Sequence, residues 1–116
     1  MGSFIDIGKA ADLKNGGKKK VTVQGQEIML ARAGDKYYAT QNRCPHLGGD
    51  LSAGALEGNV ITCPRHGSQF DITDGHNIRW MRGAGLAAAV GKAIKPPRPI
   101  KTYKIKIEDG VILVEV

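Results

Sequence analysis

Both cysteines of this 116-residue chain and two of its three histidines fall in two tight loops, Cys44-Pro45-His46 and Cys63-Pro64-Arg65-His66. Sixteen residues separate His46 from Cys63. This concentration constrains the fold more than any other feature. If the four side chains act together, the chain must bring two loops distant in sequence against one another. Each loop is short enough for the chain to reverse within it, so each can set one thiolate and one imidazole on the same side of a turn.

Two thiolates and two neutral imidazoles suit a tetrahedral zinc ion, or a [2Fe–2S] cluster in which two histidines replace two cysteines on one iron. Zinc sites usually pair Cys with Cys in one knuckle and His with His in another. Here each loop supplies one of each, as needed when one iron takes both sulfurs and the other both nitrogens, so the spacing favours the cluster. A disulfide is the third alternative. A histidine close behind each cysteine, and an N-terminus without a charged-then-apolar signal pattern, argue against it.

The rest of the chain reads as a frame for these loops. Its length suits one compact domain over residues 1–116. Sixteen glycines favour turns over long helices. Val21–Val23 and Glu27–Ala31 flank Gly25 as a hairpin, and Lys36–Thr40 reads as a third strand. Val60–Thr62 and Phe70–Ile72 are short strands. Ile100–Ile107 alternates Tyr103, Ile105 and Ile107 with lysines, and Asp109-Gly110 is a type I′ signal before a returning strand over Val111–Val116. Short strands separated by turn residues imply an all-β fold, an antiparallel sandwich or barrel. Leu86, Val90 and Ile94 fall at helical spacing in an insert from about residue 78 to 95, which Pro96, Pro97 and Pro99 end. The Lys18–Lys20 run is read as a solvated strand edge that discourages further pairing. His76 is read as an exposed turn residue, and Trp80 and Met81 as packing residues. The net charge of +6 is compatible with nucleic acid, an anionic membrane or an acidic protein. Aromatic interleaving among the basic residues is poor for stacking on single strands, and no apolar run spans a membrane.

Cys44-Pro45-His46-Leu47-Gly48-Gly49 and Cys63-Pro64-Arg65-His66-Gly67-Ser68-Gln69-Phe70-Asp71 resemble the two cluster-binding loops of the Rieske family. Leu51-Ser52-Ala53-Gly54 and Leu56-Glu57-Gly58-Asn59 are similar to the connector between those loops in Rieske-type ferredoxins. The resemblance implies a Rieske-like β fold with a cluster-binding subdomain at about 41–75 and one [2Fe–2S] cluster per chain. It also implies that Cys44 and Cys63 bind the buried iron and that His46 and His66 bind the outer one. Leu47, Pro64, Ser68, Phe70 and Pro97 are expected around the cluster, with Pro97 in a covering loop over residues 95–99.

Two departures from the family pattern matter. High-potential members carry an extra cysteine in each loop, joined as a disulfide, and the matching positions here are Gly49 and Arg65. Those members also use a serine and a tyrosine as donors to the cluster sulfurs. Ser68 keeps the first place, but Phe70 takes the second and has no donor. Such donors stabilise the reduced state, so the potential is expected below the high-potential group.

With neutral histidines the oxidised centre is formally uncharged and gains one negative charge on reduction, an easier step than for an all-thiolate cluster. The chain is therefore expected to be a soluble, cytoplasmic one-electron carrier, not an enzyme. It would pass electrons from a flavin-type reductase to a terminal oxygenase or other oxidoreductase, meeting an acidic surface on its partner, with no nucleic acid or membrane involved. Two alternatives are a small subunit of a larger reductase, as in nitrite reductase assemblies, and a zinc-bound interaction module. The presence of all four candidate ligands favours the carrier over the subunit. Arg43 and Arg65, one beside each loop, are candidates for partner contact.

Overall fold

The computed structural model describes residues 3–45, 48–65, 67–79 and 98–116. Eleven strands in three antiparallel sheets make up the described fold. β1 (Phe4–Lys9), β11 (Val111–Glu115) and β10 (Ile105–Glu108) form the first sheet, with β11 in the middle. β2 (Lys18–Val23), β3 (Gln26–Ala33), β4 (Lys36–Gln41) and β9 (Thr102–Tyr103) form the second, in that order. β5 (Ala55–Glu57), β6 (Val60–Thr62), β7 (Gln69–Asp71) and β8 (Asn77–Arg79) form the third, a meander built around the two cysteine loops.

Turn chemistry sets the hairpins. Gln24-Gly25 joins β2 to β3 with φ of 50° and 79°, and Asp109-Gly110 joins β10 to β11 with φ of 51° and 76°. Two successive positive φ values are what a type I′ turn requires, and they match the strands' right-handed twist.

The run Ile28-Met29-Leu30-Ala31 explains how one small chain supports two cores. Successive side chains of a strand point to opposite faces, and all four of these are fully buried. Ile28 and Leu30 face a core shared with Ile7, Leu13, Val23, Ala39, Ile112 and Val114. Met29 and Ala31 face a second core holding Cys44, Leu51, Ile61, Cys63, Phe70, Ile72 and Ile100. In the third sheet, Leu56, Ile61 and Phe70 stand opposite one another on β5, β6 and β7, carrying that second core up to the loops.

Lys18–Lys20 lies on β2, an edge strand of its sheet, as expected. Other expectations are corrected. Ile100–Ile107 is not one strand: Thr102–Tyr103 pairs with β4, while Ile105–Glu108 pairs with β11 in another sheet. The change of sheet comes at Lys104, whose carbonyl accepts a hydrogen bond from Glu115 N–H at 2.9 Å. Phe4–Lys9 is a strand the residue pattern conceals, because a register shift between Asp6 and Gly8 interrupts its alternation. Ile78 and Arg79, at the start of the expected insert, belong to β8. Its helical spacing, with Trp80, Met81, Leu86, Val90 and Ile94, falls outside the described residues, as do Pro96 and Pro97.

Candidate metal centre

The two cysteine loops close in the same way. Cys44 N–H donates to Gly49 O at 2.8 Å and Gly48 N–H donates back to Cys44 O at 2.8 Å. Cys63 N–H donates to Ser68 O at 2.7 Å and Gly67 N–H donates to Cys63 O at 3.1 Å. In each, a glycine four residues after the cysteine has a positive φ, 71° at Gly48 and 76° at Gly67. That conformation is nearly free of cost only for glycine. The shared Cys-x-x-x-Gly spacing was a readable sign that the loops are structural equivalents, and sequence reasoning passed over it.

Different supports hold the two loops. Arg43 and Asp50 bridge the neck of the first. Behind it, Asn42, buried to 1 % exposure, donates through Nδ2 to Asp50 Oδ1 at 2.8 Å and accepts Ser52 N–H on Oδ1 at 2.9 Å. Asp50 Oδ1 also accepts the Ser52 hydroxyl at 2.6 Å. The Ser52 hydroxyl hydrogen bond, then that of Asn42 and the charge of Lys20, outweigh partial burial and hold the Asp50 carboxyl below its ordinary range. The second loop continues β6 and β7, and Arg79 Nε on β8 donates to Gly67 O at 3.0 Å. Gln41 ties the returning chain to this end, accepting Lys101 N–H at 2.6 Å and donating to Arg43 O at 2.6 Å.

The loops abut. A Cβ built on Gly49 would lie 2.5 Å from Cys63 Sγ, and 3.1 Å and 3.2 Å from Arg65 Cγ and Cδ. Positions 49 and 65 are thus neighbours here, and the Arg65 stem lies over Gly49. Cys44 and Cys63 are both buried in the second core and are not joined as a disulfide. Ser68 and Phe70 are fully buried beside them in the chain, whereas Pro64 is exposed. His46, His66, Leu47 and Pro97 lie outside the described residues. His76 is exposed at a turn, with Nδ1 2.6 Å from Asp74 Oδ1. Its backbone N–H and ring lower the Asp74 pKa.

Two buried thiols, supplied by matched loops inside an apolar core, fit a metal centre with thiolate ligands on its inner side. The sequence profile of the Rieske [2Fe-2S] domain matches residues 3–90, and the chain belongs to that family, with a [2Fe–2S] cluster as its cofactor. It is 32% identical over 114 residues to the ferredoxin component of a naphthalene 1,2-dioxygenase system from Pseudomonas putida, covering 97% of this chain and 94% of that one. The fold is similar to the ferredoxin of carbazole 1,9a-dioxygenase from Nocardioides aromaticivorans IC177, with TM-score 0.80, 25% identity and coverage of 97% and 96% of the two chains. It is also similar to a chain solved in a complex of reduced oxygenase and oxidised ferredoxin of carbazole 1,9a-dioxygenase, with TM-score 0.76, 26% identity and coverage of 95% and 99%.

Proposed function

We propose that this chain is the ferredoxin of an oxygenase system, carrying single electrons from a reductase to a terminal oxygenase. The observation that carries the reading is the pair of equivalently closed loops delivering Cys44 and Cys63 into one apolar core. Cys44 and Cys63 would hold one iron of the cluster through their thiolates, and His46 and His66 would hold the other through their imidazoles. When bound, the cluster stores one electron and releases it without breaking a bond.

The chain's own residues fix the ligands and exclude water. Gly48 and Gly67 let each loop turn back on its cysteine, while Phe70, Ile61 and Leu51 keep solvent from the sulfurs. Ser68 closes the second loop through its carbonyl. Among the described residues no helix is long and apolar enough to cross a membrane. We place the carrier in the cytoplasm, where its cysteines stay reduced for iron binding.

Absorption and EPR spectra of the purified protein test the reading. A red-brown protein with a rhombic signal of low average g after reduction is expected, and Cys44→Ser should abolish both. A colourless, zinc-loaded protein would overturn the assignment. Gel filtration of native extract separates carrier from fixed subunit: persistent co-migration with a large enzyme contradicts the mobile carrier.

A further inference from the structure

Ile78 turns a large apolar side chain to solvent, 46% exposed, on the strand beside the second cysteine loop. The β7–β8 ladder gives the reason. It pairs Phe70 with Asn77 and Gln69 with Arg79, so β8 carries one residue more than β7 between the two pairs. An unbroken ladder would set Ile78 opposite Gln69. The extra residue is a β-bulge, a device that bends a strand and re-aims its side chains. Ile78 is displaced, and Arg79 stands opposite Gln69, just beyond the second loop. Asn77 braces the bulge, donating through Nδ2 to Gln69 O at 3.1 Å and to Arg79 O at 2.9 Å.

From that place Arg79 reaches into the loop. Three successive peptides follow His66, and each is held by a different bond. The first gives its N–H, on Gly67, to Cys63 O at 3.1 Å. The third gives its carbonyl, on Ser68, to Cys63 N–H at 2.7 Å. The middle one gives its carbonyl, on Gly67, to Arg79 Nε at 3.0 Å. The loop's own backbone bonds thus hold the outer two peptides, and the middle one is held from β8. It is also the easiest to flip, because Gly67, with φ of 76°, has glycine's wide backbone freedom. Gly67 is buried, whereas Gly48, its counterpart in the first loop, is exposed and can be served by water.

We propose that Arg79 is a positioning residue for the metal centre: the β8 bulge aims its Nε at Gly67 O, and that hydrogen bond fixes the backbone of the loop that carries Cys63 and His66. The proposal rests on the [2Fe–2S] carrier reading above. A buried carbonyl left without its donor shifts the balance between the closed and the rearranged loop by about 10- to 100-fold. Hydrogen bonds that orient ligands act both on the electronic character of a centre and on its retention, the latter by about 10- to 100-fold. The contribution assigned to Arg79 is its donor and not its charge.

Two variants separate donor from charge. The side-chain nitrogen of glutamine stands as many bonds from Cα as arginine Nε, so Arg79→Gln keeps a donor at the same reach without the charge. Arg79→Met fills the same length with a methyl group and has no donor. Gly58→Ala strains the β5–β6 turn, where nothing lies within 4 Å of the added methyl, and controls for lowered stability alone. The first readout is the EPR spectrum of the reduced holoprotein, whose line positions and widths follow ligand geometry. The second is the decay of visible absorbance in excess iron chelator.

Arg79→Met should shift or broaden the EPR lines and lose its cluster about tenfold faster than Arg79→Gln. Arg79→Gln and Gly58→Ala should keep the wild-type lines. Unchanged lines in Arg79→Met would overturn the positioning role, and lines in Arg79→Gln altered as much as those of Arg79→Met would show that the donor is not what matters. Altered lines in Gly58→Ala would also overturn it, since lowered stability would then suffice. If Arg79→Met takes up no cluster, Arg79→Gln decides: wild-type lines support the donor, and failure to load overturns it. Each of these outcomes leaves the carrier reading intact. A wild-type protein with neither visible spectrum nor EPR signal removes that reading, and the proposal with it.

Discussion

Three glycines separate two ways in which the backbone around the metal centre depends on a missing side chain, and alanine at each should cost a different amount. Gly58, in the β5–β6 turn, has φ of 58° with nothing within 4 Å of where a methyl group would stand, so Gly58→Ala meets only backbone strain. That strain is about 1–2 kcal/mol, partly offset by the lower unfolded-state entropy of alanine, for a net loss of about 1 kcal/mol. Gly54 has φ of −83° and ψ of −173°, which alanine adopts readily. Its methyl, however, would overlap the Thr62 carbonyl, one residue before Cys63. Making room forces apart the Ala55–Thr62 pair of β5 and β6, costing about 2–4 kcal/mol in overpacking and lost hydrogen bonding.

Gly75 carries both penalties. Its φ is 83°, and its methyl would overlap the Ile100 carbonyl. Ile100 N–H donates to Gly75 O at 2.9 Å, and Ile100 is a buried member of the core around the cysteines. Gly75→Ala should therefore cost about 3–5 kcal/mol. At about 4 °C per kcal/mol for a domain of this size, the melting temperature drops roughly 12–20 °C. Thermal unfolding of the holoproteins by far-UV circular dichroism should rank the losses Gly75→Ala, Gly54→Ala, Gly58→Ala. A Gly75→Ala protein as stable as Gly58→Ala would refute the close approach of the cluster sheet to the returning chain.

The loop supports and the site's chemistry give further expected outcomes. Asn42→Ala removes two part-buried hydrogen bonds behind the first loop and should lower stability by about 1–2 kcal/mol, read from urea unfolding midpoints. Because the folded Asp50 pKa lies below its unfolded value, its contribution is complete above the ordinary carboxylate value of about 4 and fades as pH falls through the folded value. Between pH of about 5 and 2 the wild-type unfolding midpoint should thus fall more steeply than that of Asp50→Asn, and parallel curves would contradict this. Phe70→Tyr adds a hydroxyl donor at a position expected beside the cluster and should raise the reduction potential, measured by protein-film voltammetry; an unchanged or lower potential counts against the donor argument.

Much of the fold was legible where local rules govern it. The apolar run of β3 reads as a strand of a hairpin, and Asp109-Gly110 declares its turn. The break at Lys104 was hidden because Ile105 and Ile107 continue the alternation of Tyr103 across a change of sheet. β8 was hidden because Asn77-Ile78-Arg79 has no buried apolar face: Ile78 is exposed, and Asn77 holds the strand by donating to Gln69 O at 3.1 Å. At the site, scarcity made Cys44 and Cys63 conspicuous. Asn42, Asp50 and Arg79 act through hydrogen bonds to residues 8 to 12 positions away. Such bonds leave no period in the sequence to read.

The division of labour along β3 bears on how such a protein can diverge. Ile28 and Leu30 answer to one core, and Met29 and Ala31 to the other. Selection can therefore act on even and odd positions of a single strand almost as if they were different genes. A lineage adapting to heat can remodel the even positions while the packing around the cysteines, and with it the electronic character of the centre, is inherited unchanged. Drift at the odd positions would instead change the carrier's redox behaviour while leaving its frame intact.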